Sequence, residues 1–137
     1  MQKISPLSND MYRDVEAKRD WVRNHYSPES VGEYYSIDGK LNLLDTILKS
    51  NWIESKETLK LQSLGITLGD VFVQDMGFSW IQVEDEYGID PAINLPGTSI
   101  ILFPLTMISK RIEQGEAVNI HELYQGLKKQ VQEVKAD

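Results

Sequence analysis

Apolar positions recur at helical spacing in the first half of the chain, alternate in the middle, and return to helical spacing at the end. Met11, Val15, Lys18 and Val22 mark one stripe with Trp21 beside it. This predicts a first helix from about Asp10 to Asn24, with Ser8 and Asn9 as candidate N-caps. The stripe is only modestly apolar, so this helix is expected at the edge of the domain. Pro28, followed by Glu29 and Ser30, breaks the chain. Leu41, Leu44, Ile47 and Leu48 predict a short second helix, capped by Asp38 and ended by Asn51. The third helical pattern is the most regular: Leu61, Leu64, Leu68, Val71, Phe72 and Met76. Ser55 lies in cap position, and Gly77 follows where a helix commonly ends in a left-handed residue. Inside this helix Gly65 and Gly69 each cost about 1 kcal/mol relative to alanine. They lie four apart on one face, which fits close approach of another element or a ligand against bare backbone.

The period then changes. Phe78 to Val83 is rich in aromatic and β-branched residues and predicts a strand. Glu84 to Gly88 is its turn, and Ile89 to Leu95 a weaker strand suited to an edge, because Pro91 lacks a ladder donor. Pro96-Gly97 signals another turn. Thr98 to Phe103 is the most apolar strand and is expected to be the most buried. Pro104 suits the first turn of a fourth helix, with Leu105, Ile108 and Ile112 on one face and Gly115 at its end. Asn119 caps a last helix striped by Ile120, Leu123, Tyr124, Leu127, Val131 and Val134. The order of elements implies an α+β fold: N-terminal helices, a three-stranded antiparallel meander, then two C-terminal helices packed on one sheet face. A single domain over 1–137 is expected, with residues 1–30 a peripheral helix and break and 38–134 the core.

Composition narrows the function classes. The chain has 137 residues, 41% apolar and 26% charged, in the ordinary range for a globular domain. It has no cysteine, which excludes disulfides, a thiolate nucleophile and Cys-ligated metal. The N-terminus lacks an apolar signal region and the longest apolar run is far too short to span a bilayer, so a cytoplasmic protein is expected. The formal net charge is −7. Between Lys60 and Lys110 there is no basic residue, only Asp70, Asp75, Glu84, Asp85, Glu86 and Asp90. Nucleic-acid binding depends on Lys and Arg at phosphates, so an acidic window of this kind argues against it. It suits a basic protein partner instead.

Three stretches carry a family resemblance: Leu64 to Asp70, Trp80 to Gly88, and Pro104 to Arg111. Over Leu61 to Glu116 the chain resembles the bacterial domain-of-unknown-function family 3806. Residues before about Leu41 lie outside the resemblance. It implies an α+β fold and no assigned activity, and so no catalytic residue.

The candidate chemistry is sparse. Glu84, Asp85 and Glu86 with Asp90 form an acidic turn, readable as a solvated hairpin tip, a partner-binding surface or an oxygen-ligand metal site, although no EF-hand register is present. Trp80 and Tyr87 flank it, and such aromatics beside carboxylates suit a binding patch. Trp80 as ordinary core is the competing reading. Lys110 and Arg111 suit the helix dipole, an anion site, or an ion pair back to Glu84–Glu86. His25 and His121 lie at helix ends, away from any nucleophile elbow, and read as surface or capping residues. No P-loop, dinucleotide or zinc motif occurs, so no cofactor is expected. The favoured reading is a protein-binding module with an acidic face, of the immunity or antitoxin type, and not an enzyme. The alternative is a small ligand-binding domain or enzyme whose site lies where the Gly65–Gly69 helix meets the sheet, using Asp70, Trp80 and Glu84.

Overall fold

Ser8 ends an extended segment and accepts the Met11 backbone N–H at 3.1 Å, so a helix begins directly after it. In the computed structural model, which describes residues 2–50 and 52–136, that helix is α1, Asn9–Arg23. A short strand, β1 (Lys3–Ser5), precedes it. A 3-10 turn over Val31–Tyr35 leads into α2 (Ile37–Lys49). The cap of α2 is Ser36, whose hydroxyl accepts the Gly39 N–H at 2.8 Å, in place of the expected Asp38. Ser36 is the residue with extended backbone, as a cap requires, whereas Asp38 already lies in the first turn. Asn51, the expected end of this helix, lies outside the described residues.

The long helix α3 (Thr58–Met76) ends at Gly77 with φ 80°, as its sequence predicts. Its start differs. Ser55 is not the cap; Glu57 holds that place without a side-chain cap bond. Glu57 uses its carboxylate to accept the Glu54 N–H and to pair with Lys60.

The sheet follows: β2 (Ser79–Asp85), β3 (Gly88–Asn94) and β4 (Ile101–Leu102) form the antiparallel meander. A fourth strand joins it, because β1 pairs antiparallel with β2 through Lys3↔Glu84, Ile4↔Val83 and Ser5↔Gln82. The strand order is β1-β2-β3-β4. The expected burial is redistributed. β3 carries the buried run Pro91, Ala92 and Ile93, while only two residues of the apolar Thr98–Phe103 stretch are strand, both half-buried. Pro91 is tolerated in an inner strand because β4 pairs only with Ile93 and Asn94 and leaves Pro91 without a neighbour on that side.

After β4 a 3-10 turn (Pro104–Thr106) precedes a short α4 (Ser109–Glu113), in place of one helix from Pro104. The last helix, α5 (Ile120–Ala136), begins where Asn119 Oδ1 accepts the Glu122 N–H at 3.0 Å.

The core centres on α3, which packs against α1, α2, α4 and the Pro104 turn. Leu61, Leu64, Leu68, Val71 and Phe72 are buried there with Val22, Leu44, Ile47, Ile93, Ile108 and Tyr124. Phe72 meets Phe78 and Tyr124 edge to face, at 5.7 and 4.8 Å between ring centroids. Several polar groups that enter this core are paired. The Tyr34 hydroxyl bonds Thr67 at 3.1 Å. Lys40, buried on α2, donates to Gln74 at 2.9 Å and lies 5.0 Å from the Tyr34 ring centroid. Burial pulls the Lys40 pKa down, partly opposed by the charge of Asp70. Asp75 on α3 accepts from the Tyr124 hydroxyl and from Lys128 at 2.9 Å, which fastens α5 to α3.

Candidate functional site

The acidic turn is the tip of the β2–β3 hairpin. Asp85 pairs with Gly88, leaving Glu86 and Tyr87 as a two-residue loop. Asp85 Oδ1 accepts the Tyr87 N–H at 2.8 Å, a local bond that fixes the turn. Gly88 has φ 134°, a backbone state that suits glycine. The tip therefore holds Tyr87 outward, 89% exposed, with Ile89 also exposed. Glu84, Glu86 and Asp90 are exposed around them. Among the described residues none of these carboxylates has a Lys or Arg partner at ion-pair distance. Nor do three acidic or histidine side chains converge to hold a metal ion among the described residues.

Trp80 does not join this tip. It pairs with Ile93, five residues along β2 from Asp85, or about 17 Å at strand spacing. Its indole N–H donates to Asp70 Oδ1 at 2.9 Å. Asp70 also accepts a two-pronged contact from Arg19 on α1, Nε to Oδ2 at 2.6 Å and Nη2 to Oδ1 at 2.9 Å. Arg19 pairs with Glu16 as well. Burial alone would lower the Arg19 pKa, but the hydrogen bond and charge of Asp70, with those of Glu16, more than reverse this. Asp70 and Trp80 are thus brought together, as the alternative reading requires, while Glu84 lies apart on the exposed hairpin.

The helix face of Gly65 and Gly69 is filled by protein. A Cβ on Gly65 would fall 2.1 Å from the Pro104 carbonyl oxygen. One on Gly69 would fall 2.8 Å from the Pro104 ring and 2.9 Å from Trp80. Both glycines serve the close approach of the Pro104 turn, and Trp80 closes the remaining side. Lys110 is exposed, and Arg111 turns back to donate to the Met107 carbonyl at 2.7 Å, capping its own turn. Among the described residues neither pairs with Glu84–Glu86, one of the three readings of these residues, and Arg111 spends its reach within the 104–113 segment.

A family model described as Domain of unknown function (DUF3806) matches residues 40–124. The chain belongs to this family. The DUF3806 match begins near the start of α2 and ends in α5, so it holds the hairpin, Asp70 and Trp80, and omits Arg19 with the rest of α1. The fold is shared by a protein of Bacteroides thetaiotaomicron VPI-5482 with a crystal structure at 1.50 Å resolution. The TM-score is 0.74 at 17% identity, over 92% of this DUF3806 chain and 47% of the other chain. The chain therefore spans about half the length of that protein. Among curated proteins, no relative matches by sequence.

Sequence reasoning missed one concave feature. A cleft of about 540 Å³ lies between the end of α1, the 3-10 turn and α2, walled by His25 and Trp52. These residues come from separate segments with no common spacing, so no motif marks them. The aromatic-rich stretch from Trp21 to Asp38, which carries Glu29, Glu33 and Asp38, is the one signal that could have drawn attention there.

Proposed function

We propose that this protein is a protein-binding module that docks a basic partner on the tip of its β2–β3 hairpin. The observation that supports the reading is Tyr87, 89% exposed between carboxylates that lack ion-pair partners among the described residues. The two-residue turn holds this tyrosine away from the core, and tyrosine is favoured as an interface anchor. Surrounding carboxylates would speed encounter with a cationic surface and reject anionic ones. The other two acids between Lys60 and Lys110, Asp70 and Asp75, are paired with Arg19 and Lys128, so the field comes from the hairpin itself. Among basic partners, a toxin neutralised in the manner of an immunity protein fits the size and charge of the chain.

The test is affinity capture from the native lysate by the wild type, by Tyr87→Ala, and by the triple variant Glu84→Lys, Glu86→Lys, Asp90→Lys. A basic protein should be held by the wild type, released as salt rises, and lost from both variants. Equal retention by all three baits would remove the hairpin from the interface.

A further inference from the structure

The cleft beside α2 is separate from the hairpin, and its chemistry is one-sided. Glu33 and Asp38 supply two carboxylates, and no lining side chain is Lys or Arg. Of the other polar groups, Tyr26 and Ser36 turn their hydroxyl protons into the protein, while Asn42, Thr46 and the Trp52 indole bring neutral donors to the wall. The Tyr26 hydroxyl donates to the Gly39 carbonyl at 2.7 Å. The Ser36 hydroxyl donates to the Glu33 carbonyl at 3.0 Å. His25 Nδ1 lies 2.8 Å from the Trp21 carbonyl, which can only accept, so Nδ1 carries a proton and donates to it. The carboxylates of Glu33 and Asp38 thus face no lysine or arginine in the wall, and its charge is negative. A cationic ligand rich in donors matches the two carboxylates, and an ammonium group has one positive charge and three donors.

The aromatic part of the wall agrees. Trp52 is 59% exposed and lies nearly parallel to His25, with 6.1 Å between ring centroids and 22° between planes. The far edge of His25 is braced by Trp21 at 4.6 Å. An exposed indole face beside carboxylates attracts an organic cation through its ring quadrupole. Burial, and after it the charge of Glu33, raise the Tyr26 pKa, which places the Glu33 carboxylate within electrostatic reach of the phenol. The volume of about 540 Å³ accommodates a short alkyl chain as well as its charged head.

We propose that the cleft lined by Glu33, Asp38, His25 and Trp52 binds an alkylammonium group. Its source is either a free diamine or a lysine side chain of a peptide, and both share this chemistry.

The test uses the full chain with cadaverine and N-acetyl-lysine methylamide as probes and pentane-1,5-diol as the uncharged control. Binding is followed by calorimetry and by the Trp52 indole NMR signal, assigned with Trp52→Phe. The charged probes should shift the Trp52 signal and the diol should not. Binding of cadaverine alone identifies a free diamine, and binding of the lysine derivative alone identifies a side chain. Trp52→Ala, and Glu33→Gln with Asp38→Asn, should each weaken binding by about tenfold or more. Glu84→Gln with Glu86→Gln should leave it unchanged. The proposal is overturned if neither charged probe moves the Trp52 signal at about 10 mM, where even millimolar sites fill. It is equally overturned if the diol binds as well as cadaverine, or if the shifts follow the hairpin carboxylates.

Discussion

Arg19 grips Asp70 across 51 residues of sequence with two near-parallel hydrogen bonds, and Asp70 Oδ1 also takes the Trp80 indole N–H. One carboxylate therefore ties α1, α3 and β2 together. Both members of the ion pair are largely buried, with side-chain exposures of 18% and 13%. Removing one member leaves the other charged and poorly solvated, so Asp70→Ala should cost roughly 2–4 kcal/mol. Asp70→Asn keeps an acceptor for Trp80 and should cost about half as much. Urea unfolding of the three proteins checks the order. An Asp70→Ala midpoint equal to wild type would mean that the clasp contributes nothing net.

The two helix glycines should respond unequally to a methyl group. At Gly65 the added Cβ meets the Pro104 carbonyl oxygen at 2.1 Å, and a backbone group cannot move without shifting the whole turn. At Gly69 the nearest atoms are side-chain atoms of Pro104 and Trp80 at 2.8 and 2.9 Å. Alanine also returns about 1 kcal/mol of helix propensity at each site. Gly65→Ala should destabilise by about 3 kcal/mol or more, and Gly69→Ala by about 1–2 kcal/mol. Thermal unfolding ranks them, and a Gly65→Ala protein as stable as wild type would contradict the close approach.

Stability should fall at both extremes of pH, for different residues. The Tyr124 hydroxyl and Lys128 hold the Asp75 carboxyl below its ordinary range, against a smaller opposing effect of burial. A depressed carboxyl pKa contributes stability above its unfolded value of about 4, lost as pH drops through the folded value. Tyr124→Phe should therefore flatten the loss of stability below about pH 4, by about 1 kcal/mol because Asp75 is partly exposed. On the alkaline side, burial pushes the Tyr34 phenol up to about 12, with the Thr67 hydrogen bond opposing it. Burial and the Asp75 contact also raise Tyr124. A raised phenol pKa leaves stability intact below about pH 10 and erodes it as pH climbs from 10 through the folded value. Denaturant midpoints from pH 2 to 12 trace both limbs, and an acid limb identical in Tyr124→Phe would detach Asp75 from it.

What could be read in the sequence depended on how local each cause is. Leu61, Leu64, Leu68, Val71 and Phe72 repeat at helical spacing within one helix, and Gly77 ends it by its own backbone freedom, so α3 was legible. β1 was not, because Lys3-Ile4-Ser5 has a single apolar residue and is a strand only by pairing with Val83 and its neighbours. The apolar Thr98–Phe103 run misled for a similar reason. Asn94 Nδ2 donates to the Thr98 and Ile100 carbonyls, and the Thr98 hydroxyl donates to the Leu95 carbonyl, which folds the run into a loop before two residues can pair. The acidic hairpin tip was legible because four carboxylates and Tyr87 lie within seven residues. The separation of Trp80 from that tip was not, since its direction follows from Asp70, ten residues away on another element. The cleft walled by His25 and Trp52 joins four segments and leaves no periodic trace.

The hairpin tip separates shape from chemistry. Tyr87 is 89% exposed and accepts no side-chain contact that folding needs, so Tyr87→Ala should change stability by less than about 0.5 kcal/mol. Gly88 has open space around its Cα but a φ of 134°, so Gly88→Ala should cost about 1–2 kcal/mol through backbone strain alone. If the tip docks a basic partner, the two variants should diverge in opposite senses. Tyr87→Ala should lose binding while remaining stable, because the anchor is gone from an intact turn. Gly88→Ala should be less stable yet keep part of its binding, because Tyr87, Glu84 and Glu86 persist on a distorted loop. Paired measurements of thermal midpoint and partner affinity distinguish these outcomes. Affinity that tracked stability across both variants would make the hairpin a structural element and place the binding surface elsewhere.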